Sequence, residues 1–121
     1  KALSFEKRLV QIAVDLRELM VAYLPDVMGI ETLFFAQNTT TAMTVAEARG
    51  VVRLIAAEHN VPIVEFGPSQ IKKALTGDGK ANKQAMEMMI TKLLNLVAVP
   101  KPDDAADALA VALITSGVQW K

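Results

Sequence analysis

Three acidic residues of this sequence could together bind metal ions. Glu31 ends an apolar run, residues 27–30, and Asp104 and Asp107 lie three residues apart in an alanine-rich segment. Residues at that spacing on a helix lie about 60° apart around its axis, so the two aspartates share a face. Mg²⁺ and Mn²⁺ prefer oxygen ligands, and a pair of such ions suits phosphodiester hydrolysis. The three carboxylates are therefore candidate metal ligands and catalytic residues.

The same residues also have a structural interpretation. Asp103 and Asp104 follow Pro102, and carboxylates in the first turn of a helix stabilise it by about 0.3–1 kcal/mol each. Taken alone, these two are more often helix caps than ligands. Asp107 lies farther along among small and apolar residues, and a carboxylate on so apolar a face needs a partner. Glu31 raises the same expectation, because no lysine or arginine lies immediately beside it in the sequence.

Periodicity and turn residues predict the elements that carry these side chains. Apolar residues at three- and four-residue steps after Ser4 indicate an amphipathic helix, and short apolar runs bounded by turn residues indicate buried strands. The predicted elements are a helix at 4–23, a strand at 26–31, a helix from the polar cluster 38–41 to about 59, a strand at 60–66, and helices at 69–75, 82–96 and 102–116.

This order predicts an α/β fold built on a parallel βαβ unit with a right-handed crossover. Five helices around two parallel strands leave a sheet too small to be well covered on both faces, so we expect further strands upstream of Lys1. The long helix has little polar face, which predicts a sheet on one side of it and a partner subunit on the other. The length suits a single domain over residues 1–121.

Composition narrows the class of protein. The absence of cysteine excludes disulfides, thiolate metal sites and cysteine nucleophiles. No apolar stretch approaches the roughly 18 residues that span a bilayer, and no leader opens the chain. We therefore expect a soluble, cytoplasmic protein that makes no membrane contact.

The net charge is zero, so any attraction to nucleic acid must be local. Residues 72–83 hold four lysines, Lys72, Lys73, Lys80 and Lys83, against the single Asp78. A charge run of this kind is usually a solvated face. If it binds DNA, counterion release makes the binding steeply salt-dependent.

Four short motifs resemble one known family. They are Ile30-Glu31-x-x-Phe34-Phe35-x-x-Asn38, Glu47-Ala48-Arg49-Gly50, Pro68-Ser69-Gln70-Ile71-Lys72 and Asp104-Ala105-Ala106-Asp107-Ala108-Leu109-Ala110. In this order and spacing they resemble the RuvC-type Holliday-junction resolvases, bacterial homodimers of the RNase H-like and integrase nuclease superfamily. The likeness covers essentially all 121 residues, and the combination is specific although each motif alone is weak.

The resemblance implies an RNase H-like three-layer fold and a metal-dependent endonuclease that resolves four-way DNA junctions in recombination and repair. Glu31, Asp104 and Asp107 would be its catalytic metal ligands, with two Mg²⁺ or Mn²⁺ ions in the complete site. The family also opens with a strand region whose Asp-x-Gly motif supplies a further metal ligand. This sequence has no such segment, so it is similar to a family member truncated to the βαβ unit with flanking helices. We expect the 121 residues by themselves to be catalytically impaired.

The resemblance also implies how DNA and partners bind. Lys72 and Lys83 align with basic residues near the scissile strand, and Phe34 with the residue near the crossover, where a ring could stack on an unpaired base. Arg49 is a further candidate, as a phosphate clamp or as a simple surface residue. Homodimerisation through the helix of about 40–58 is implied, as are the branch-migration proteins RuvA and RuvB as partners.

Two other functions stay open at this point. The chain could be a non-catalytic DNA-binding and dimerisation module of RNase H-like fold, in which the carboxylates serve only as caps. It could also be a nuclease of the same fold that acts on simple duplex or on RNA hybrids. The first predicts that loss of Glu31 or Asp107 changes nothing, and the second predicts no preference for four-way junctions.

Overall fold

The structure is a computed structural model that describes residues 2–32 and 39–117. Its elements, in chain order, are α1 (Phe5–Tyr23), β1 (Met28–Glu31), α2 (Thr39–Glu58), β2 (Ile63–Phe66), α3 (Pro68–Thr76), α4 (Lys83–Leu93) and α5 (Asp103–Ser116). Every predicted helix and strand is present. The α/β class is therefore confirmed.

The two strands pair in one sheet. The Met28 N–H donates to the Pro62 carbonyl at 2.9 Å, and the Thr32 N–H donates to the Phe66 carbonyl at 2.9 Å. Because both partners advance along the chain in the same direction, the strands are parallel. The predicted parallel βαβ unit is thus observed, with α2 as the helix between its strands.

Local signals in the sequence explain where α1 begins and ends. The Ser4 hydroxyl accepts a hydrogen bond from the Lys7 N–H at 3.2 Å, so Ser4 is the predicted N-cap. At the other end Leu24 adopts a left-handed conformation with φ 47° and donates its N–H to the Met20 carbonyl. Pro25 follows directly and cannot continue the helix.

Several predicted boundaries differ from the structure by one to three residues, and both strands, Met28–Glu31 and Ile63–Phe66, are shorter than predicted. The structure ends α4 at Leu93 rather than near residue 96, because Asn95 turns the chain with φ 53°. The apolar Leu94 and Leu96 continue the helical spacing and hide this turn. At the start of α5, Pro102 occupies the N-cap and Asp103 is the first helical residue.

The contacts within the chain divide it into two compact units. The first, Lys1–Met28 with Leu33–Ile63, holds α1 and α2 packed on each other around buried Met20, Ile55, Ala56 and Val61. On the outside of α2, Met43 and Leu54 are 58% and 56% exposed, so one side of this helix is uncovered. The predicted partner subunit on that side stays a prediction.

The second unit, Gly29–Thr32 with Val64–Lys121, holds α3, α4 and α5 packed on one another. Its core consists of Ile71, Ile90, Ala106 and Ala110, and Ile90 is fully buried. None of the described helices is both long and apolar enough to cross a membrane. The single domain over residues 1–121 stays a prediction.

Candidate functional site

A cavity of about 300 Å³ opens in the second unit, between β1, α3, α4 and α5. Its apolar wall includes the buried core residues Ile71, Ile90, Ala106 and Ala110. Its ionisable lining consists of Glu31, Lys72, Lys83, Glu87 and Asp107. Four of the residues singled out from the sequence therefore line one cavity, although they come from four different elements.

Glu31 is the last residue of β1 and is exposed. The strand that carries it approaches α5 closely at Gly29, where a Cβ atom would lie 1.8 Å from Thr115 Oγ1 and 2.9 Å from Val111 Cγ1. Thr115 is buried and donates its hydroxyl to the Val111 carbonyl at 2.6 Å. A larger residue at position 29 would separate strand and helix, so glycine permits the approach that brings Glu31 and α5 to one cavity.

Asp107 reaches the cavity from α5. Ala106 and Ala110, four residues apart, form the buried side of this helix and are 3% and 2% exposed. Their small side chains let α5 pack closely on Ile71 and Ile90. Asp107 follows Ala106 by about 100° around the axis and is exposed.

Glu31 and Asp107 are both exposed, so the apolar residues beside them in the sequence do not enclose their carboxylates. Water reaches their carboxylates, so no burial penalty has to be compensated. The apolar sequence around Asp107 reflects the buried side of α5 rather than the surroundings of the carboxylate. Exposed carboxylates at a cavity are accessible to a cation.

Asp104 is exposed in the first turn of α5, and it is not on the cavity lining. Within residues 2–32 and 39–117, no group of three or more histidine, cysteine, aspartate or glutamate side chains could hold a metal ion. Glu31 and Asp107 line the cavity and Asp104 does not, so the three-carboxylate cluster is not assembled within these described residues. The role of Asp104 stays a prediction.

Glu31 and Asp107 nevertheless fit a hydrated divalent ion. Both offer carboxylate oxygens to the same cavity and both are accessible to water. Mg²⁺ usually keeps several waters and takes only one or two carboxylates from the protein. The donor set therefore suits Mg²⁺ or Mn²⁺ and does not suit a metal that requires sulfur or nitrogen ligands.

Lys72 and Lys83 supply the positive charge of the cavity. Lys72 follows the buried Ile71 on α3 and is half-buried. Lys83 is the first residue of α4, which Asn82 caps by accepting a hydrogen bond from the Ala85 N–H at 2.8 Å. A phosphate in the cavity would find an ammonium group from each helix.

The Lys83 ammonium donates to Asp103 Oδ2 at 2.5 Å. This hydrogen bond, supported by the opposite charges, raises the pKa of Lys83 and lowers the pKa of Asp103. Both side chains are more than half exposed, so solvent screens the pair and its contribution to stability is small. The sequence predicted a cap at Asp103, whereas its carboxylate accepts a hydrogen bond from Lys83.

Glu87 lines the cavity and was not predicted from the sequence. It lies four residues after Lys83 on α4 and is half-buried. The signal was available, because residues four apart on a helix share a face. Glu87 therefore adds a third carboxylate to the lining and lies close enough to Lys83 to contribute to its raised pKa.

The resemblance predicted two further DNA-contacting residues, Phe34 and Arg49. Phe34 falls outside the described residues. Arg49 lies on α2 in the first unit and is half-buried. Their predicted roles are not tested by this structure.

Comparison with known proteins identifies one family. The family model of crossover junction endodeoxyribonuclease RuvC matches residues 1–115. A protein of that name from Gloeobacter violaceus is 54% identical over 110 residues, which cover 91% of this chain and 63% of the relative. One from Thermomicrobium roseum is 47% identical, with 92% of this chain and 68% of the relative covered. Among such relatives this chain spans from 60% to 71% of their length.

Two solved structures of Thermus thermophilus RuvC have a similar backbone. They superpose with TM-scores of 0.87 and 0.90 at 33% identity, covering 94% of this chain and 69% of theirs. The second was solved in complex with a Holliday junction substrate. The α/β fold is thus the RNase H-like fold of these proteins, as the family resemblance implied. The chain belongs to the RuvC family of crossover junction endodeoxyribonucleases.

Proposed function

We propose that this protein is a structure-selective endonuclease that cuts four-way DNA junctions by metal-dependent hydrolysis. The observation that carries the proposal is the cavity on which Glu31 and Asp107 meet Lys72 and Lys83. Carboxylates hold a hard cation and lysines hold a phosphate, which are the two requirements of this hydrolysis. The family's names and the junction-bound relative support the choice of substrate.

The residues of the cavity have distinct proposed roles. Glu31 and Asp107 would hold Mg²⁺ or Mn²⁺, with Asp104 as a further ligand in the complete site and two ions expected there. Bound metal would activate a water molecule and stabilise the leaving oxygen. Lys72 and Lys83 would bind the scissile phosphate and orient it. The water oxygen forms a new bond to phosphorus, the bond from phosphorus to one sugar oxygen breaks, and that oxygen takes a proton.

The test is cleavage of a synthetic four-way junction beside a duplex of matched sequence. The resemblance implies a ligand from a preceding region, so the assay uses this chain both as it is and fused behind the N-terminal region of the Gloeobacter violaceus relative. In the fusion, Glu31→Gln and Asp107→Asn should each lower the cleavage rate by about 10²–10³-fold or more. Junction affinity, measured by gel shift, should not fall.

The controls remove the same groups from exposed positions of α1. Glu18→Gln and Asp15→Asn should leave cleavage unchanged. If Glu31→Gln and Asp107→Asn were also without effect, the chain would be a non-catalytic DNA-binding module. Equal cleavage of junction and duplex would instead indicate a nuclease without junction selectivity.

A homodimer through α2 is part of the same proposal. Met43, Glu47, Gly50, Leu54 and Ala57 lie at alternating four- and three-residue steps along α2 and are all exposed. At Gly50 a Cβ atom would meet no atom of the described residues within 4 Å, so the middle of this stripe is flat. A second copy could approach it closely and cover Met43 and Leu54.

Light scattering coupled to size exclusion tests the dimer. Leu54→Glu should convert the dimer to a monomer, because it places a charge in the proposed interface. Met88→Glu on α4, where the side chain is 69% exposed, is the matched control and should leave the mass unchanged. A wild-type chain that is monomeric at all concentrations would contradict the dimer. RuvA and RuvB as partners and a bacterial cytoplasmic location stay predictions from the family resemblance.

A further inference from the structure

A second groove in the described structure adjoins the cavity at Lys83. It is lined by Asn82, Lys83, Gln84, Glu87, Lys101 and Asp103. Lys83 and Glu87 line both the groove and the cavity. A phosphate that enters the cavity therefore meets a lysine whose ammonium group already contacts a carboxylate, that of Asp103 at 2.5 Å.

Helix capping does not explain this ion pair. At α4 the cap is Asn82, and a cation at the first helical position is unfavourable beside the positive end of the helix dipole. At α5 the N-cap is Pro102, and its capping position makes no side-chain hydrogen bond. The pair joins the first residue of α4 to the first residue of α5. Its effect is therefore to fix the position of the Lys83 side chain.

The pair is also poorly suited to a purely stabilising role. The side chains of Lys83 and Asp103 are 57% and 54% exposed, and ion pairs of that exposure contribute little to folding. Exposure lets an external anion reach Lys83 and displace the carboxylate without opening the fold. Lys101 adds a second positive charge that acts on Asp103 in the same groove.

We infer that Asp103 is an intramolecular competitor for DNA: its carboxylate occupies Lys83 in the free protein and is displaced by a backbone phosphate when DNA enters the cavity. A carboxylate and a phosphate oxygen accept the same ammonium hydrogen bond. DNA that presents several phosphates can outcompete Asp103, whereas weak single contacts cannot. Asp103 thereby lowers the affinity for DNA whose phosphate enters the cavity. The inference rests on the proposed function, because it requires that Lys83 bind DNA.

The experiment is a double-mutant cycle on junction binding, measured by fluorescence anisotropy without divalent cations. Asp103→Asn should tighten binding by about two- to five-fold, the range expected for release of one exposed ion pair. The salt dependence should also become steeper, by up to about one unit of slope for one more neutralised phosphate. In a Lys83→Gln background, the same Asp103→Asn change should have no effect.

Two comparisons make the result specific. Asp15→Asn removes one negative charge from exposed α1, where the carboxylate accepts a hydrogen bond from Gln11 at 2.8 Å, and should not change affinity. A thermal melt of Asp103→Asn close to that of wild type establishes that the variant is folded. An equal gain in the presence and absence of Lys83 would overturn the inference, since general charge repulsion would then suffice.

A failure of the competitor role can be distinguished from a failure of the proposed function. If wild type binds the junction and Asp103→Asn binds no tighter, the competitor role is wrong. Weaker binding by Asp103→Asn would mean that Asp103 instead orients Lys83 for DNA. If wild type and all variants fail to bind the junction, the proposed function fails and the inference falls with it.

Discussion

The two units of this chain use different side chains for their cores. In the α1–α2 unit, the core includes the bulky Met20, Ile55 and Val61. In the unit of α3, α4 and α5, two of the four buried residues are alanines, Ala106 and Ala110. The described ionisable residues of the cavity belong to the second unit. Small core residues therefore occur where a helix must come close enough to its neighbours to bring charged side chains together.

The glycines of the two units show the same contrast. At Gly29, in the second unit, a Cβ atom would collide with Thr115 and Val111. At Gly50, on α2 in the first unit, a Cβ atom would have no neighbour within 4 Å among the residues that the structure describes. One glycine permits contact inside its unit, and the other leaves a helix surface flat. Close packing thus supports the cavity in the second unit, whereas the first unit presents an exposed surface on α2.

The largest expected effects come from cutting each core. Ile55→Ala and Ile90→Ala remove side chains that are 0% and 1% exposed, and each should cost about 2–5 kcal/mol in the free energy of unfolding. Ile90 also lines the cavity, so Ile90→Ala should reduce cleavage per folded molecule, and Ile55→Ala should not. Urea denaturation measures stability, and a cleavage assay on the fusion described above, corrected for the folded fraction, measures activity. Equal effects of the two variants on cleavage would contradict the inference that the core of the second unit, rather than that of the first, supports the cavity.

A smaller loss is expected at the close approach of β1 and α5. Gly29→Ala should destabilise the protein by about 1–3 kcal/mol, because the added methyl group overlaps Thr115 and Val111. Thr115→Ala removes the hydroxyl that the methyl group would meet, so the double variant should recover part of the stability and of the cleavage rate. Gly117→Ala is the control, since its Cβ would lie 3.6 Å from its nearest neighbour. Denaturant titration measures all four variants, and a Gly29→Ala protein as stable as wild type would contradict the packing argument.

The smallest effect is the pH dependence of the Lys83–Asp103 pair. The pKa of Asp103 is lowered from 3.8, so its contribution is present above that pH and is lost as the pH falls through the folded value. The pKa of Lys83 is raised from 10.5, so its contribution is present below that pH and is lost as the pH rises through the folded value. The difference in melting temperature between wild type and Asp103→Asn should be at most a few degrees between these limits.

Differential scanning calorimetry without divalent cations measures this difference in melting temperature across the pH range. The difference should shrink below pH 3.8 and above pH 10.5, where one partner of the pair loses its charge. Asp15→Asn serves as the control, since Asp15 accepts its hydrogen bond from a neutral amide, that of Gln11. A difference that stays constant across all pH values would show that the ion pair does not contribute to stability.

Most of the fold could be predicted from the sequence because its signals are local. The Ser4 cap, the turn after Tyr23 and the Asn82 cap each depend on residues within one helical turn. The end of α4 was wrong because apolar spacing continues past the left-handed turn at Asn95. Local patterns thus predicted the types of the elements correctly and the boundaries of the elements less accurately.

The candidate site could be predicted only in part. Glu31, Asp107, Lys72 and Lys83 were singled out from residue type, from charge and from the family resemblance, and they line one cavity. Glu87 was missed although its spacing from Lys83 is helical. The structure shows that Glu31 and Asp107 are exposed, although apolar residues flank both of them in the sequence.

Local spacing and residue type were enough to predict the order and type of the elements and the family. They also identified the acidic and basic residues available for chemistry. Tertiary structure alone decided that Lys83 contacts Asp103 and that Gly29 meets Thr115. The physical reason is that contacts between residues distant in the chain depend on how closely helices and strands pack. That distance is set by the volumes of the side chains between them.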